Sequence, residues 1–287
     1  MPAALRRPRR LSSRRGSDVG SSKSLQKALR LLLHLGECGP EMSMTQLTGD
    51  LGLNKTTVFR LLNAMQKFEL IEKNPANERY RLGLRLHELG CRALESRPLR
   101  NEAHSFLVEL ARLANESVSI AVPEAGGIVC LDRVDCRDSI ITARTPVGAR
   151  FHAHCTAAGK AILAWLPDEE IRAIIKRNGM PSFTSNTHTK FDNLMNDLAL
   201  IRHRGYATDN NELEKGLSGI AAPVFVRGSD LVAALGIAGP SGRFQLEEFE
   251  KKVALLKDFA IRLSIALGRH SSELPVARSS SFYDPFS

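Results

Sequence analysis

Ser43 and Asn54 constrain this chain more than any other pair of residues. Both are side chains that cap helices, and each opens a short run with helical apolar spacing. Ser43-Met44-Thr45-Gln46 is a capping-box pattern, in which hydroxyl and amide satisfy backbone donors at the helix start. It opens a short helix reaching Leu51. Gly52-Leu53 makes a tight turn, and Asn54 then caps a helix running from Lys55 to about Lys67. Two helices so close in sequence, joined by so short a turn, are the helix-turn-helix plan.

The flanks complete that plan. Upstream, Ser24 to Glu37 reads as a helix with Leu25, Ala28, Leu29 and Leu32 as its apolar stripe, ended by Gly36 and Gly39-Pro40. Downstream, Leu70–Lys73 and Arg79–Leu82 read as short strands around the turn Asn74-Pro75-Ala76-Asn77. A hairpin after the second helix is the wing of a winged helix-turn-helix. A further helix, Leu84 to Glu95, leads to Pro98, where the domain boundary falls.

The second helix of the motif has two faces. Val58, Leu61, Leu62 and Met65 form its buried stripe, and Thr56, Thr57, Arg60 and Asn63 fall opposite. A DNA-reading helix presents such a polar face to the major groove, where these side chains hydrogen-bond base edges or phosphates. Lys55 and the backbone amides at the start of this helix suit a phosphate. Asn54, together with Thr45 and Gln46 of the shorter helix, adds further candidate DNA contacts. In the wing, Arg79 and Arg81 alternate with Tyr80, so both project from one face.

The charge distribution agrees. The net charge is +9. Residues 1–22 carry six arginines against Asp18, a net +5, and residues 23–90 hold ten basic and seven acidic side chains. The remaining residues, from Cys91 on, are nearly balanced, with 24 basic against 23 acidic. A polyanion partner for the first third follows, because neutralised phosphates release counterions.

Composition excludes other classes. At 43% hydrophobic and 25% charged the chain is globular, with length for one large domain or two smaller ones. No run of about 18 uncharged apolar residues spans a membrane. The basic N-terminus has no apolar segment behind it, which argues against a secretory signal. Five scattered cysteines without a CxxC argue for a reducing compartment, with the cytoplasm expected. No cofactor is implied, since no GxGxxG or phosphate loop occurs.

Beyond Pro98, Leu99, Ala103, Phe106, Leu107 and Leu110 mark a helix to about Glu116. Val118–Val122, Ile128–Val134 and Ile140–Ala143 read as strands, with Gly126-Gly127 turning between the first two. Helices follow at Ala157–Trp165, Asp168–Arg177 and Lys190–Arg204. Strands Ile220–Val226 and Leu231–Ala238 flank Arg227-Gly228-Ser229-Asp230, and a last helix runs from Gln245 to Leu267. This order gives an α+β or mixed-sheet domain.

These motifs together resemble one family. Ser24-Leu25-Gln26-Lys27-Ala28-Leu29, Leu53 through Leu62, and Tyr80-Arg81-Leu82-Gly83 are similar to the IclR family of bacterial transcriptional regulators. So are His154 through Ala161, Arg204-Gly205-Tyr206-Ala207, Ile220 through Val224 and Gly236 through Pro240. The resemblance covers about residues 21–270. It implies an α+β chain in which a winged helix-turn-helix domain is joined by a linker helix to a GAF-like mixed α/β effector-binding domain. The expected organisation is a basic tail at 1–22, the DNA-binding domain at 23–83, the linker helix at 84–97, the effector domain at 98–270 and a C-terminal tail at 271–287.

The resemblance also implies a function. Members bind palindromic double-stranded DNA operators as dimers or tetramers, and repression is the commoner mode. Leu86, Leu89 and Ala93 offer a dimer seam or pack onto their own wing. The small-molecule effector, an organic acid or aromatic compound, would meet the backbone of Ala157 and Ala158, the carboxyl of Asp209, and Gly219, Gly236 and Ala238. The last three align with positions where glyoxylate-binding members carry small polar or thiol side chains. Their replacement here points away from a small oxoacid and toward a larger or more aromatic ligand.

Three other uses compete. His152, His154 and Cys155, with Asp209 facing them, have ligand types that suit zinc. Cys155 with a neighbouring histidine is the pairing a cysteine enzyme needs, though adjacent residues rarely face each other. A winged helix can also serve protein contacts, which would make binding insensitive to salt.

Overall fold

The computed structural model describes residues 23–95, 98–124, 127–136, 146–225 and 232–268. They fall into two compact units that divide between Ser96 and Arg97.

The first unit is built from α1 (Lys23–Glu37), α2 (Met44–Leu51), α3 (Lys55–Lys67), β1 (Ile71–Lys73), β2 (Tyr80–Leu82) and α4 (Leu84–Glu95). Both caps form as their residue types require. Ser43 and Gln46 make the reciprocal capping box, and Asn54 accepts from the Thr57 amide at 2.8 Å. Gly52 ends α2 in the left-handed region at φ 60°, where a Cβ is strained. Leu31, Leu35, Leu47, Val58, Leu62, Met65, Ile71 and Tyr80 form the core.

The stripe expected on α1 is corrected here. Leu25 and Leu29 are 59% and 51% exposed, and Leu31 and Leu35 are the leucines that enter the core. Leucines occur on several faces of this helix, so its spacing alone does not choose the buried one. In α3, Val58, Leu62 and Met65 are buried as expected, and Leu61 is half-buried. The wing gains a third segment, because Met42 and Tyr80 exchange backbone hydrogen bonds of 2.9 and 2.8 Å.

The second unit holds α5 (Pro98–Ala114), β3 (Ser117–Glu124), β4 (Gly127–Val134), β5 (Arg150–Phe151), α6 (Ala157–Leu163), α7 (Asp168–Asn178) and α8 (Phe191–Arg204). It continues through β6 (Ala207–Asn210), β7 (Leu217–Phe225), β8 (Val232–Pro240) and α9 (Leu246–Ala266), with one-turn 3-10 segments at Ala153–Cys155 and Ser241–Arg243. The six strands form one sheet in the order β5-β4-β3-β8-β7-β6, and every described pairing is antiparallel. The strand expected at Ile140–Ala143, Gly126 of the expected turn, and the connection 227–230 lie outside the described residues, as do both tails. Glu124 pairs with Gly127 across the β3–β4 hairpin.

Period-two alternation sorts the sheet into unlike faces. Val118, Ile120, Ile220, Val224, Leu235 and Ile237 supply a bulky face on strands that pack against α5 and α9. Ser119, Ala121, Gly219, Ala221, Ala234, Gly236 and Ala238 alternate with them, toward α6. Small side chains there leave room between the sheet and α6. A Cβ on Gly159 would stand 2.4 Å from the backbone of Ala153, so only glycine fits where α6 passes the 3-10 segment that precedes it.

Candidate functional site

In the first unit, the exposed surface of α3 carries Lys55, Thr56 and Arg60, with Thr57 and Asn63 half-buried beside them. Thr45 and Gln46 are exposed at the start of α2. Among the described residues neither Lys55 nor Arg60 has a carboxylate within ion-pair distance, so both cations are available to a phosphate or base.

Two expected contacts are already engaged. The Asn54 side chain caps α3, and Gln46 Oε1 accepts from the Ser43 amide and hydroxyl at 2.9 and 3.0 Å. The wing arginines differ as well. Arg81 donates through Nε and a terminal nitrogen to Glu72, its cross-strand partner, at 3.0 and 2.9 Å, and lies 3.7 Å from Glu41. Arg81 is therefore not a free cation. Arg79 lies just outside β2, exposed and without such a partner among the described residues. Sequence reasoning passed over Phe59, which is 50% exposed on α3 and offers an apolar contact beside the polar ones. Its absence from the Val58-Leu61-Leu62-Met65 stripe was the available signal.

In the second unit, Ala157, Ala158, Asp209, Gly219, Gly236 and Ala238 all line one cavity of about 80 Å³. Its wall also includes Ser119, Cys130, Phe151 and Thr156. Thr156 caps α6 by accepting from the Gly159 amide at 3.1 Å. The amides of Ala157 and Ala158, one and two residues on, have no acceptor within the helix. Among the described residues no lysine, arginine or histidine lines the cavity.

Among the described residues Asp209 is the one carboxyl on that wall. Burial pushes it up to about 7, and the charge of Glu212 pushes the same way, against the 2.8 Å hydrogen bond it accepts from the Glu212 amide. Glu212 in turn is held by Lys160, which projects from α6 with 1% exposure. Lys160 Nζ donates to Glu212 Oε1 at 2.6 Å and to Asp197 Oδ2 at 2.8 Å. Burial works to lower the Lys160 pKa, but the two carboxylates outweigh it and keep the ammonium charged. Burial likewise works to raise Asp197, but hydrogen bonds from His188 and Lys160 hold it well below the usual carboxylate range.

The zinc alternative finds no support in this geometry: among the described residues His152, His154, Cys155 and Asp209 do not cluster as a ligand set. His154 Nε2 bonds the Pro181 carbonyl at 3.0 Å, and Cys155 Sγ donates to the His152 carbonyl at 3.6 Å. Burial pushes the Cys155 thiol up to about 12, with Asp209 and Glu212 adding to the rise, far from the thiolate that nucleophilic attack requires. The described residues that do cluster as metal-binding types are His188, Asp197 and Glu212. Lys160 already neutralises both of those carboxylates. Sequence reasoning assigned Lys160 no role, although a lysine within the apolar run Ala157–Leu163 was a signal.

Comparison with known proteins agrees with both units. The model of the bacterial transcriptional regulator IclR C-terminal domain matches residues 91–265, and that of the IclR helix-turn-helix domain matches residues 24–75. The chain belongs to the IclR family of bacterial transcriptional regulators. Among family members it is 33% identical over 250 residues to the transcriptional regulator KdgR of Escherichia coli K12, covering 87% of this chain and 94% of that protein. It is 30% identical over 247 residues to the transcriptional repressor AllR of the same strain, covering 86% and 91%. The Thermotoga maritima IclR structure superposes with a TM-score of 0.70 at 27% identity, covering 86% of this chain and 99% of that one. An IclR homologue of Microbacterium hydrocarbonoxydans, complexed with 4-hydroxybenzoate, shares the fold at a TM-score of 0.74 and 22% identity, covering 85% and 98%. The helix-turn-helix domain and the IclR C-terminal domain are thus the family's two parts, and this chain has both.

Proposed function

We propose that this regulator is a repressor whose affinity for a palindromic operator is set by a small organic-acid or aromatic ligand in the cavity beneath α6. The observation that carries the reading is that all six residues expected to meet an effector line that one cavity. Thr45, Lys55, Thr56, Thr57, Arg60, Asn63 and Arg79 would contact DNA directly. Asn54 and Gln46 would act mainly by holding their helices, and Arg81 by bracing the wing. Two-fold self-association, as dimer or tetramer, would match two half-sites.

The organisation proposed is a basic tail at 1–22, DNA-binding domain at 23–83, linker helix at 84–97, effector domain at 98–270 and tail at 271–287. The protein would act in the cytoplasm; no described helix is long and apolar enough to cross a membrane. No catalytic step is assigned, since the thiol once considered for one is buried and held protonated.

The test is operator affinity measured with and without a panel of small carboxylic and aromatic acids, 4-hydroxybenzoate included. A ligand acting through the cavity shifts affinity by roughly 5–150-fold, a coupling of about 1–3 kcal/mol. That shift disappears in Asp209→Asn while ligand-free DNA binding persists. A ligand that shifts affinity equally in both proteins would place control elsewhere.

A further inference from the structure

A second set of reactive side chains lies in the first unit. Cys38 Sγ sits 3.4 Å from His34 Nδ1, and His34 Nε2 sits 3.0 Å from Asp50 Oδ2. The thiol is exposed, just past the end of α1, while Asp50 belongs to α2. Asp50 accepts the Nε2 proton and so leaves the Nδ1 lone pair toward the sulfur. That is a nucleophile, a base and a group that orients the base, in the order proton transfer requires. Thiol and carboxylate meet opposite ring nitrogens, which suits a proton relay and not chelation of one metal ion.

We propose that Cys38, with His34 and Asp50, is a site of oxidation by hydroperoxides. The thiol proton passes to His34 Nδ1 and the sulfur attacks one peroxide oxygen. The S–O bond forms as the O–O bond breaks, and sulfur gives up two electrons to the peroxide. The imidazolium returns its proton to the departing hydroxide or alkoxide, so Cys–SH and ROOH become Cys–SOH and ROH. A relay that both takes and returns a proton serves a peroxide, whose leaving group needs that proton, better than it serves a simple alkylating agent. The product stands where α1 meets α2, inside the DNA-binding unit.

The same unit contains its own control. Cys91 is also exposed, with its Sγ 3.5 Å from His87 Nε2, but among the described residues no carboxylate orients His87. Of the other cysteines, burial pushes Cys130 up to about 11 and Cys155 to about 12, which removes both from the comparison.

The experiment treats the full chain with hydrogen peroxide at neutral pH. Sulfenic acid is trapped with 5,5-dimethylcyclohexane-1,3-dione, and the Cys38 and Cys91 peptides are quantified over time by mass spectrometry. Cys38 is expected to be labelled at least about tenfold faster than Cys91, with the advantage lost in Asp50→Asn and in His34→Gln. Equal rates at the two cysteines of the unmodified sequence overturn the proposal without any variant. An advantage that survives both substitutions overturns it too, because Cys38 would then be only the more accessible thiol.

Discussion

Lys160 on α6 and Glu212 between β6 and β7 are joined by a 2.6 Å ion pair, with both side chains buried. Asp197 on α8 completes the set at 2.8 Å from the same ammonium. One buried cation therefore ties α6, which borders the cavity, to α8 and to the β6–β7 connection.

Replacing Lys160 by Met keeps the length of the side chain but leaves Glu212 and Asp197 without their shared cation. Breaking a buried pair in this way costs about 3–5 kcal/mol, because a charge is left desolvated and unpaired. Thermal unfolding of Lys160→Met should show a loss of that size, or require protonation at lower pH to recover it. A change under about 1 kcal/mol, in the range typical of a solvated pair, would show that water already screens the group.

Asp209 predicts a pH dependence of definite sign. Burial pushes its carboxyl up to about 7 in the folded chain, above the ordinary carboxylate value of 3.8. Between those limits the unfolded chain releases the proton while the native protein keeps it. Stability from this group is thus full below about pH 4 and is lost as pH rises toward 7. Denaturant titrations across this window should give a steeper decline for the natural sequence than for Asp209→Asn. Parallel declines in the two proteins would assign the slope to other groups. Glu212, Lys160 and Cys155 face Asp209 and are kept unchanged in the comparison.

Asn54 should act through α3 and not through a base. Asn54→Ala removes the cap on the Thr57 amide and should cost the first unit about 1 kcal/mol. Asn54→Ser retains a capping oxygen and should restore both stability and DNA affinity. Affinity lost in the serine variant with stability intact would instead give Asn54 a direct contact.

Much of the first unit was legible because its signals are local. The Ser43 box, the Gly52 turn and the Asn54 cap each act within a few residues, and all three formed. Leu25 and Leu29 were misplaced because a helix rich in leucine satisfies apolar spacing on more than one face. The Met42–Tyr80 pairing and the two-residue strand β5 depend on partners remote in sequence. In the second unit, the six cavity residues came from family resemblance, since nothing in the spacing of Gly219, Gly236 and Ala238 reveals a pocket. The Lys160–Glu212 pair joins residues 52 apart. Its lysine was visible as a charge in an apolar helix, but its partner became visible only once the sheet was folded.

The most direct test of the account is selection of short duplexes from a random pool at physiological salt, beside an Arg60→Ala variant. The account predicts a palindromic site enriched by the natural sequence and lost in the variant, with binding that weakens steeply as salt rises. The contrary result is no palindromic site, with or without the carboxylic and aromatic acids, or a site that the Arg60 variant selects equally well.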